Sequence, residues 1–256
     1  MQHVIQASTG TDSYKINHYD QYGPLLEFLQ SNWTARGSRV DGVESVLLFG
    51  LQPFFKRVLG EMWGGFFDMP EDEAVARYSK RISGRFGPVD VNVEHVRALH
   101  QLGYLPLRFR ALPEGTEVPL RIPMFVVENT HKKFAWVVNY LESIMSTEIW
   151  MPMTTATLAL RMRRMLDEFA GETSDMPEFV NWQGHDFSFR GMASMEAGAA
   201  SGSGHLLSFA GSDTIPAVDW IETYYPLPAG REFLVAASVP ATEHSVMMIG
   251  GPVGEK

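Results

Sequence analysis

The first part of the chain carries alternating helical and strand-like patterns of apolar residues. Apolar side chains recur at helical spacing between Val43 and Leu59, with Gly60 as the predicted helix end. Similar patterns predict helices over Glu71–Ile82 and Val93–Leu102. Apolar and polar residues then alternate over Leu107–Ala111, which predicts a half-buried strand, and Met124–Val127 predicts another.

The second part of the chain has a more regular order of elements. Helical periodicity covers Phe134–Ile149 and Thr155–Phe169. From about residue 181 onward, the order becomes strand, polar turn and helix, repeated three times. Because this alternation is typical of a parallel sheet or barrel, we place a domain boundary near residue 150. An N-terminal α+β domain is expected at 1–150 and an α/β domain at 151–256.

The predicted strands of the second part end in polar or aromatic residues. The first strand ends at His185-Asp186-Phe187, the second is predicted at Leu206–Phe209, and the third at Phe233–Ala237. Helices are expected at Ser194–His205 and in the segment that ends at Tyr225. The carboxyl ends of parallel strands meet at one edge, where such folds bind their ligands.

The residues that follow these strands therefore form a candidate site. They are Asp186, Phe187, Arg190, Asp213, Ser238, Glu243 and His244. An aromatic face, a cation, a hydrogen-bond acceptor and an imidazole suit a planar heterocycle with a phosphorylated partner. The alternative is ordinary turn chemistry, since Asp and Ser also cap helices, and His244 would then be a structural histidine.

Composition narrows the functional classes. The 256 residues are 45% hydrophobic and 20% charged, which is ordinary for a soluble globular protein. The formal net charge of −9 argues against a general nucleic-acid or anionic-membrane surface. The absence of cysteine excludes disulfides and thiolate chemistry. With no secretory signal and no apolar run of about 20 residues, a cytoplasmic location is expected.

An ordered set of short motifs across the whole chain resembles the nicotinamide phosphoribosyltransferases. The motifs are Thr11-Asp12-Ser13-Tyr14-Lys15, His18-Tyr19, Phe49-Gly50-Leu51-Gln52, Pro113-Glu114-Gly115, Val127-Glu128-Asn129-Thr130, His185-Asp186-Phe187, Arg190-Gly191, Gly211-Ser212-Asp213-Thr214 and the stretch from Ser238 to Ser245. Each motif is weak alone, but their order and spacing together are specific.

The resemblance implies a type II phosphoribosyltransferase fold, in which an α/β barrel packs on a second domain. It also implies a homodimer that shares its active sites. The implied reaction converts nicotinamide and phosphoribosyl pyrophosphate to nicotinamide mononucleotide and pyrophosphate with Mg²⁺, in NAD salvage. ATP hydrolysis would assist through a phosphorylated histidine, which corresponds to His244.

The resemblance also implies roles for individual residues. Phe187 would stack on one face of the pyridine ring, and Tyr14 of the partner subunit would cover the other. Asp213 would accept a hydrogen bond from the carboxamide N–H and repel the carboxylate of nicotinate, which favours nicotinamide as the substrate. The other implied substrate-binding residues are Asp12, Arg36, Arg190, Ser238 and Val239. Glu243, His244 and Asp213 are the implied catalytic residues.

One departure from the family is its length, because members of the family are nearly twice as long. The barrel is therefore expected to be incomplete, with exposed strand edges and apolar faces. We expect this polypeptide to be inactive and poorly soluble unless a complementary C-terminal fragment completes it. Three alternatives stay open: a nicotinate phosphoribosyltransferase, a non-catalytic half that serves as a binding or assembly module, and an unrelated α/β domain whose motifs match by chance.

Overall fold

A computed structural model describes residues 5–86, 92–226 and 235–249 of the chain. The strands in these ranges are β1 (Gln30–Thr34), β2 (Ser45–Leu47), β3 (Leu107–Ala111), β4 (Glu117–Pro119), β5 (Pro123–Asn129), β6 (His185–Asp186) and β7 (Gly211–Ser212). The helices are α1 (His18–Gln21), α2 (Leu51–Pro53), α3 (Trp63–Asp68), α4 (Glu71–Phe86), α5 (Glu94–Leu102), α6 (Val137–Tyr140), α7 (Glu142–Thr173), α8 (Val180–Gln183), α9 (Met195–His205), α10 (Ile215–Tyr224) and α11 (His244–Met248).

The shorter helical segments have other geometries. A π-helical segment (Phe54–Met62) joins α2 to α3. Short 3₁₀ turns cover Ala7–Thr9, Ser13–Asn17, Lys132–Phe134, Pro177–Phe179 and Phe189–Gly191.

Two small antiparallel sheets form the strand layer of the first part of the chain. β5 lies between β1 and β3, and β2 pairs with β4. Trp33 of β1 lies opposite Phe125 of β5, and their rings stack with centroids 5.6 Å apart. The strands predicted at Leu107–Ala111 and Met124–Val127 are confirmed, and the second extends to Pro123–Asn129.

The helix predicted over Val43–Leu59 is only partly right. Its first residues form β2, and the helical run begins at Leu51 and continues past Gly60 to Asp68. The start is fixed by Glu114, whose carboxylate accepts hydrogen bonds from the backbone N–H groups of Leu51 and Gln52. Buried Val58 and Trp63 flank Gly60 on the same run, so tertiary packing overrides the weak helix propensity of glycine.

The next two helices follow the sequence patterns closely. The predicted helix at Glu71–Ile82 is confirmed and continues to Phe86. The helix predicted from Val93 is confirmed from Glu94 to Leu102. It ends at Gly103, whose φ of 77° is the left-handed conformation that glycine adopts without steric cost.

The main hydrophobic core lies between these helices and β5. Its largest fully buried side chains include Trp63, Tyr78, Phe54, Leu99 and Met124. These side chains come from the helical run, from α4, from α5 and from β5, so the core ties the helices to the sheet. Burial of such side chains contributes roughly 1.5–3 kcal/mol each relative to exposure.

The helices predicted at Phe134–Ile149 and Thr155–Phe169 are largely one helix. α7 runs for 32 residues through Pro152, while Lys132–Phe134 and Val137–Tyr140 form separate short turns. The predicted domain boundary at residue 150 therefore lies inside α7. The boundary itself stays a prediction. The continuous helix α7 would connect the two predicted domains.

The second part of the chain is organised around α9, a helix of small residues. Every residue from Gly198 to Gly204 is buried, and α9 packs between α7 and α10. Its start is capped by Ser194, whose hydroxyl accepts a hydrogen bond from the backbone N–H of Ala197. The predicted helices at Ser194–His205 and up to Tyr225 are confirmed within one residue at their ends.

The strand predicted at Leu206–Phe209 is wrong. The backbone N–H groups of Ser208 and Phe209 bond to the carbonyl of His205, so this segment continues the end of α9 as a turn. Phe209 is apolar because it is buried in this turn, where its ring stacks on that of His205 with centroids 5.0 Å apart. The strand lies later, at Gly211–Ser212.

The three parallel strand segments of the second part form an open sheet. β6 pairs with β7, and β7 makes a parallel bridge to Ala237. Part of the strand predicted at Phe233–Ala237 lies outside the described residues. The structure is a mixed α/β fold, and the part of the chain that it describes does not contain a closed barrel. None of the helices described is long and apolar enough to cross a membrane.

The close packing of α9 on α7 predicts a large cost for a small substitution. A Cβ atom at Gly204 would lie 2.5 Å from the carbonyl oxygen of Pro152 and 3.0 Å from the backbone nitrogen of Ala156. We expect Gly204→Ala to lower the free energy of unfolding by roughly 1–3 kcal/mol, because backbone atoms must move apart. Urea denaturation followed by circular dichroism measures the change.

Gly65→Ala is the matched control for this experiment. Gly65 lies in α3 with no atom within 4 Å of its added Cβ. Alanine is there expected to raise the free energy of unfolding by roughly 0.5–1 kcal/mol through helix propensity. Equal unfolding free energies for Gly204→Ala and the unsubstituted chain would contradict the packing argument.

Candidate functional site

Parallel pairing brings the ends of three strand segments together. His185 pairs with Gly211 and Asp186 with Ser212. The backbone N–H of Asp213 bonds to the carbonyl of Asp186 at 2.9 Å. On the other side of β7, the N–H of Ser212 bonds to the carbonyl of Ala237 at 3.1 Å. Because Phe187, Asp213 and Ser238 directly follow these paired residues, they emerge at the same edge of the sheet.

Alternation along β6 separates two kinds of side chain. His185 and Phe187 project from one face of the strand, and Asp186 projects from the other. Asp186 is buried towards the helices, where a Cβ at Gly202 would lie 3.0 Å from its Oδ2 atom. Asp186 thus faces the helical layer and lies on the opposite side of the strand from Phe187.

The pKa of Asp186 reflects this environment. Burial raises the pKa, but the neighbouring polar groups of Thr214 and Ser188, together with His205, outweigh burial and hold the pKa below its ordinary value. The backbone N–H of Ser188 donates to Oδ1 at 3.0 Å. Asp186 therefore acts as a buried anchor for the loop after β6.

His205 joins β6 and β7 from the side of α9. Its Nε2 atom lies 3.2 Å from the carbonyl oxygen of Gly184 and 3.1 Å from that of Gly211. Burial lowers the pKa of His205, which favours the neutral ring as a donor to these carbonyls. The side chain of His205 thus bridges β6 and β7, the strands that the predicted substrate residues follow.

Asp213 is the centre of the polar group at the strand ends. The Nε2 atom of His185 lies 2.8 Å from Asp213 Oδ1, and the hydroxyl of Ser238 donates to the same oxygen. These hydrogen bonds, with that of Ser238 the larger effect, hold the pKa of the exposed Asp213 below its ordinary value. Among the described residues, none donates a hydrogen bond to Oδ2, which leaves this oxygen open to a ligand.

Phe187 provides an aromatic surface beside this carboxylate. Its side chain is 67% exposed, so most of the ring is accessible to a ligand. The ring of His185 lies against it, with centroids 4.6 Å apart and planes tilted by 34°. Arg190 follows in the 3₁₀ turn Phe189–Gly191 and is also exposed.

The remaining predicted residues of the second part lie on the next loop. Ser238 contacts Asp213, and Val239 is exposed. Glu243 and His244 are exposed at the start of α11, where the hydroxyl of Ser245 donates to Glu243. Within the described ranges, no hydrogen bond or ion pair links His244 to Asp213 or Phe187. The structure therefore groups Phe187, Asp213 and Ser238 more closely than it groups His244 with them.

The predicted residues of the first part lie on separate elements. Asp12 accepts a hydrogen bond from Ser143 near the start of α7. Tyr14 lies on the 3₁₀ turn Ser13–Asn17 and is 60% exposed, with the charged group of Lys15 5.1 Å from its ring centroid. Arg36 is exposed after β1 and lines an open cavity of about 750 Å³ that reaches Trp150. In the described parts of the chain, no hydrogen bond, ion pair or ring contact joins any of these residues to Phe187.

His185 is the residue that sequence reasoning missed. In the sequence it stands at a predicted strand end and in a family motif without a role of its own, yet it contacts both Asp213 and Phe187. The available signal was alternation, because residues 185 and 187 must share one face of β6. The contact with Asp213 depends on the pairing of β6 with β7, which no local pattern reveals.

The described residues do not form a metal-binding site. Across residues 5–86, 92–226 and 235–249, no group of three or more His, Asp or Glu side chains is arranged to hold a metal ion. Mg²⁺ is usually held by one or two carboxylates together with substrate phosphates. The described residues therefore do not by themselves form a metal site.

Two family models match separate parts of the chain. Residues 6–64 match the model "Nicotinamide phosphoribosyltransferase, N-terminal domain". Residues 182–255 match the "Nicotinate phosphoribosyltransferase (NAPRTase) family" model, and this range contains the three strand ends of the candidate site.

Curated relatives match almost the whole chain. A nicotinamide phosphoribosyltransferase from Acinetobacter baylyi is 42% identical over 257 residues, which cover 98% of this chain and 50% of the relative. One from Xanthomonas campestris pv. campestris is 30% identical over 98% of this chain and 50% of its own length. The chain therefore spans about half the length of these relatives.

A solved structure extends the comparison to the fold. The crystal structure of human nicotinic acid phosphoribosyltransferase matches 93% of this chain and 40% of its own chain, with a TM-score of 0.55 and 20% sequence identity. This likeness supports the mixed α/β fold. Together, the family models and the relatives show that the chain is nicotinamide phosphoribosyltransferase-like and corresponds to about the N-terminal half of such proteins.

Proposed function

We propose that the chain forms the pyridine-binding half of a nicotinamide phosphoribosyltransferase. The observation that carries this proposal is the arrangement at the strand ends. An ionised carboxylate, with one oxygen engaged by Ser238 and His185 and the other open, lies beside the exposed ring of Phe187. A flat ring with an amide substituent matches both features, because the ring stacks and the amide N–H donates.

Asp213 sets the choice between nicotinamide and nicotinate. Its hydrogen bonds lower its pKa, so the carboxylate is ionised at neutral pH and only accepts hydrogen bonds. An amide N–H supplies the matching donor, whereas the carboxylate of nicotinate places like charges together. The second candidate, a nicotinate phosphoribosyltransferase, is favoured by the family model over residues 182–255.

In the proposed reaction, this chain would position the pyridine ring. The ring nitrogen of nicotinamide forms a bond to C1′ of the ribose, while the bond from C1′ to the pyrophosphate oxygen breaks. Pyrophosphate leaves with the bonding electron pair. Phe187 and Asp213 would fix the ring so that its nitrogen faces C1′, because positioning lowers the entropic cost of such a step.

The phosphorylated substrate requires cationic partners. Arg190 is exposed one short turn after Phe187, and Arg36 is exposed beside a large cavity. In the proposal, Arg190 contacts the substrate bound to its own chain, and Arg36 and Tyr14 reach the site of a second copy. Mg²⁺ would neutralise charge on the departing pyrophosphate when it is bound.

The long helix α7 carries an exposed apolar surface. Exposed apolar side chains follow one side of α7 at helical spacing, and they include Leu158, Met162, Met165 and Phe169. Apolar surface of this kind is a common feature of interaction sites. We propose that a segment equivalent to the other half of the relatives covers this surface and completes the barrel.

Mixing the two halves tests the proposed activity. We expect no nicotinamide mononucleotide from this chain with nicotinamide, phosphoribosyl pyrophosphate and Mg²⁺. Product should form when the unmatched half of the Acinetobacter baylyi relative is co-expressed with the chain. Chromatography of the product with a mass measurement detects turnover. Product from the chain alone would disprove the need for a second segment, and no product from the pair would disprove the proposed function.

Asp213→Ala tests the origin of substrate preference. In the completed enzyme, the variant should lose roughly 10- to 100-fold in kcat/KM for nicotinamide, because a hydrogen bond to a charged group is removed. The ratio of kcat/KM for nicotinamide to that for nicotinate should fall with it. Asp175→Ala, at an exposed carboxylate after α7, is the control and should leave the ratio unchanged.

The outcome separates the two candidate enzymes. Preference for nicotinate in the unsubstituted protein would reject the nicotinamide proposal and favour the second candidate. An unchanged preference in Asp213→Ala would instead show that another group recognises the amide.

His244 is proposed to accept a phosphoryl group from ATP, with ADP as the leaving group. Its exposure at the start of α11 leaves the imidazole accessible to such a donor. With ATP labelled at the γ-phosphate, we expect acid-labile label on the completed enzyme. The label should be lost in His244→Ala and retained in His131→Ala, a control at another exposed histidine. Equal labelling of both variants would contradict the assignment.

A further inference from the structure

His185 occupies a central place among the residues at the strand ends. Its side chain is 21% exposed, so it is largely enclosed but still reaches the surface of the site. The ring contacts Phe187 on the same strand and Asp213 on the neighbouring strand. It is therefore the one described side chain that touches both the aromatic surface and the carboxylate.

The protonation of the contacting atoms follows from the chemistry of Asp213. Its lowered pKa keeps Asp213 ionised at neutral pH, and an ionised carboxylate can only accept hydrogen bonds. His185 Nε2, at 2.8 Å from Oδ1, must therefore carry the hydrogen. This donor engages Oδ1 together with Ser238 and leaves Oδ2 open for a ligand.

The ring of His185 has little freedom to leave this position. On its other side, a Cβ atom at Gly211 would lie 2.7 Å from His185 Nδ1, so the ring sits directly against the backbone of β7. Gly211 is in turn bonded through its carbonyl to His205. The glycine allows the close approach that brings the His185 ring within reach of Asp213.

We propose that His185 is a positioning residue for recognition of the pyridine amide. Its Nε2–H holds the Asp213 carboxylate in the orientation that accepts the amide, and its ring supports the face of Phe187 that the ligand does not cover. This inference rests on the proposed function, because it assigns His185 to the nicotinamide site. Asp213 recognises the amide, and His185 acts through Asp213 and Phe187.

Two substitutions separate the hydrogen bond from the ring contact. His185→Phe keeps an aromatic ring against Phe187 but removes the donor. His185→Gln keeps an N–H donor of similar reach but removes the ring. A comparison of thermal unfolding midpoints verifies that both variants are folded, and the partial exposure of residue 185 makes substitution tolerable.

The first measurement needs no ligand. Titration of the Asp213 carboxyl carbon by NMR should give a higher pKa in His185→Phe than in the unsubstituted chain, because a donor to the carboxylate is lost. His185→Gln should keep the pKa close to that of the unsubstituted chain. Ser238→Ala removes the other donor, and the rise in the Asp213 pKa that it causes is the reference for the effect of His185→Phe. An unchanged pKa in His185→Phe would overturn the inference.

The second measurement concerns substrate preference in the completed enzyme. His185→Phe should reduce the ratio of kcat/KM for nicotinamide to that for nicotinate by roughly tenfold, as expected for one hydrogen bond to a charged group. His185→Gln should restore most of the ratio, and KM for phosphoribosyl pyrophosphate should not change. In an Asp213→Asn background, His185→Phe should have little further effect, because the two residues act as a unit.

The outcomes distinguish this inference from the proposed function. If the unsubstituted enzyme prefers nicotinamide and His185→Phe keeps the full preference, the positioning role is disproved and the proposed function stands. A full tenfold effect of His185→Phe that persists in the Asp213→Asn background would also overturn the role. If the unsubstituted enzyme uses neither pyridine, the proposed function fails and the inference fails with it.

Discussion

The close packing of α9 between α7 and α10 is the constraint on which the second part of the molecule depends. α9 connects β6 to β7, and its buried small residues allow its backbone to approach that of α7. A larger residue at Gly204 would push α9 away from α7. At the end of α9, His205 bonds to the carbonyl of Gly184 just before β6 and to that of Gly211 in β7, so the helix also fixes the relative position of the two strands.

The candidate site follows from this arrangement in a few steps. Parallel pairing places Phe187, Asp213 and Ser238 at one edge, and alternation directs Asp186 away to the helical side. Asp213 is exposed to solvent, which favours its ionised form, and hydrogen bonds from Ser238 and His185 lower its pKa further. A charged and oriented carboxylate accepts a hydrogen bond from an amide but repels another carboxylate. The fold would in this way favour nicotinamide over nicotinate. The stacking surface and the acceptor share His185 as a neighbour.

The similarity to nicotinamide phosphoribosyltransferases gives this geometry a chemical context. It extends over nearly all of this chain but about half of each relative. The described strands form an open sheet, and apolar side chains along α7 lie exposed. In the proposal above, another polypeptide segment covers this surface, and this chain contributes recognition of the pyridine ring.

The sequence by itself determined the local elements and the residues at the strand ends. Periodicity and end signals located α4, α5, β3 and α9, because such patterns report contacts within one element. The motifs also singled out Phe187, Asp213 and Ser238. Only the tertiary structure decided where the helical run after β2 begins, that α7 is continuous, and that His185 contacts Asp213. These features depend on partners distant in the sequence, such as Glu114 at the N–H groups of Leu51 and Gln52, and no local pattern carries that information.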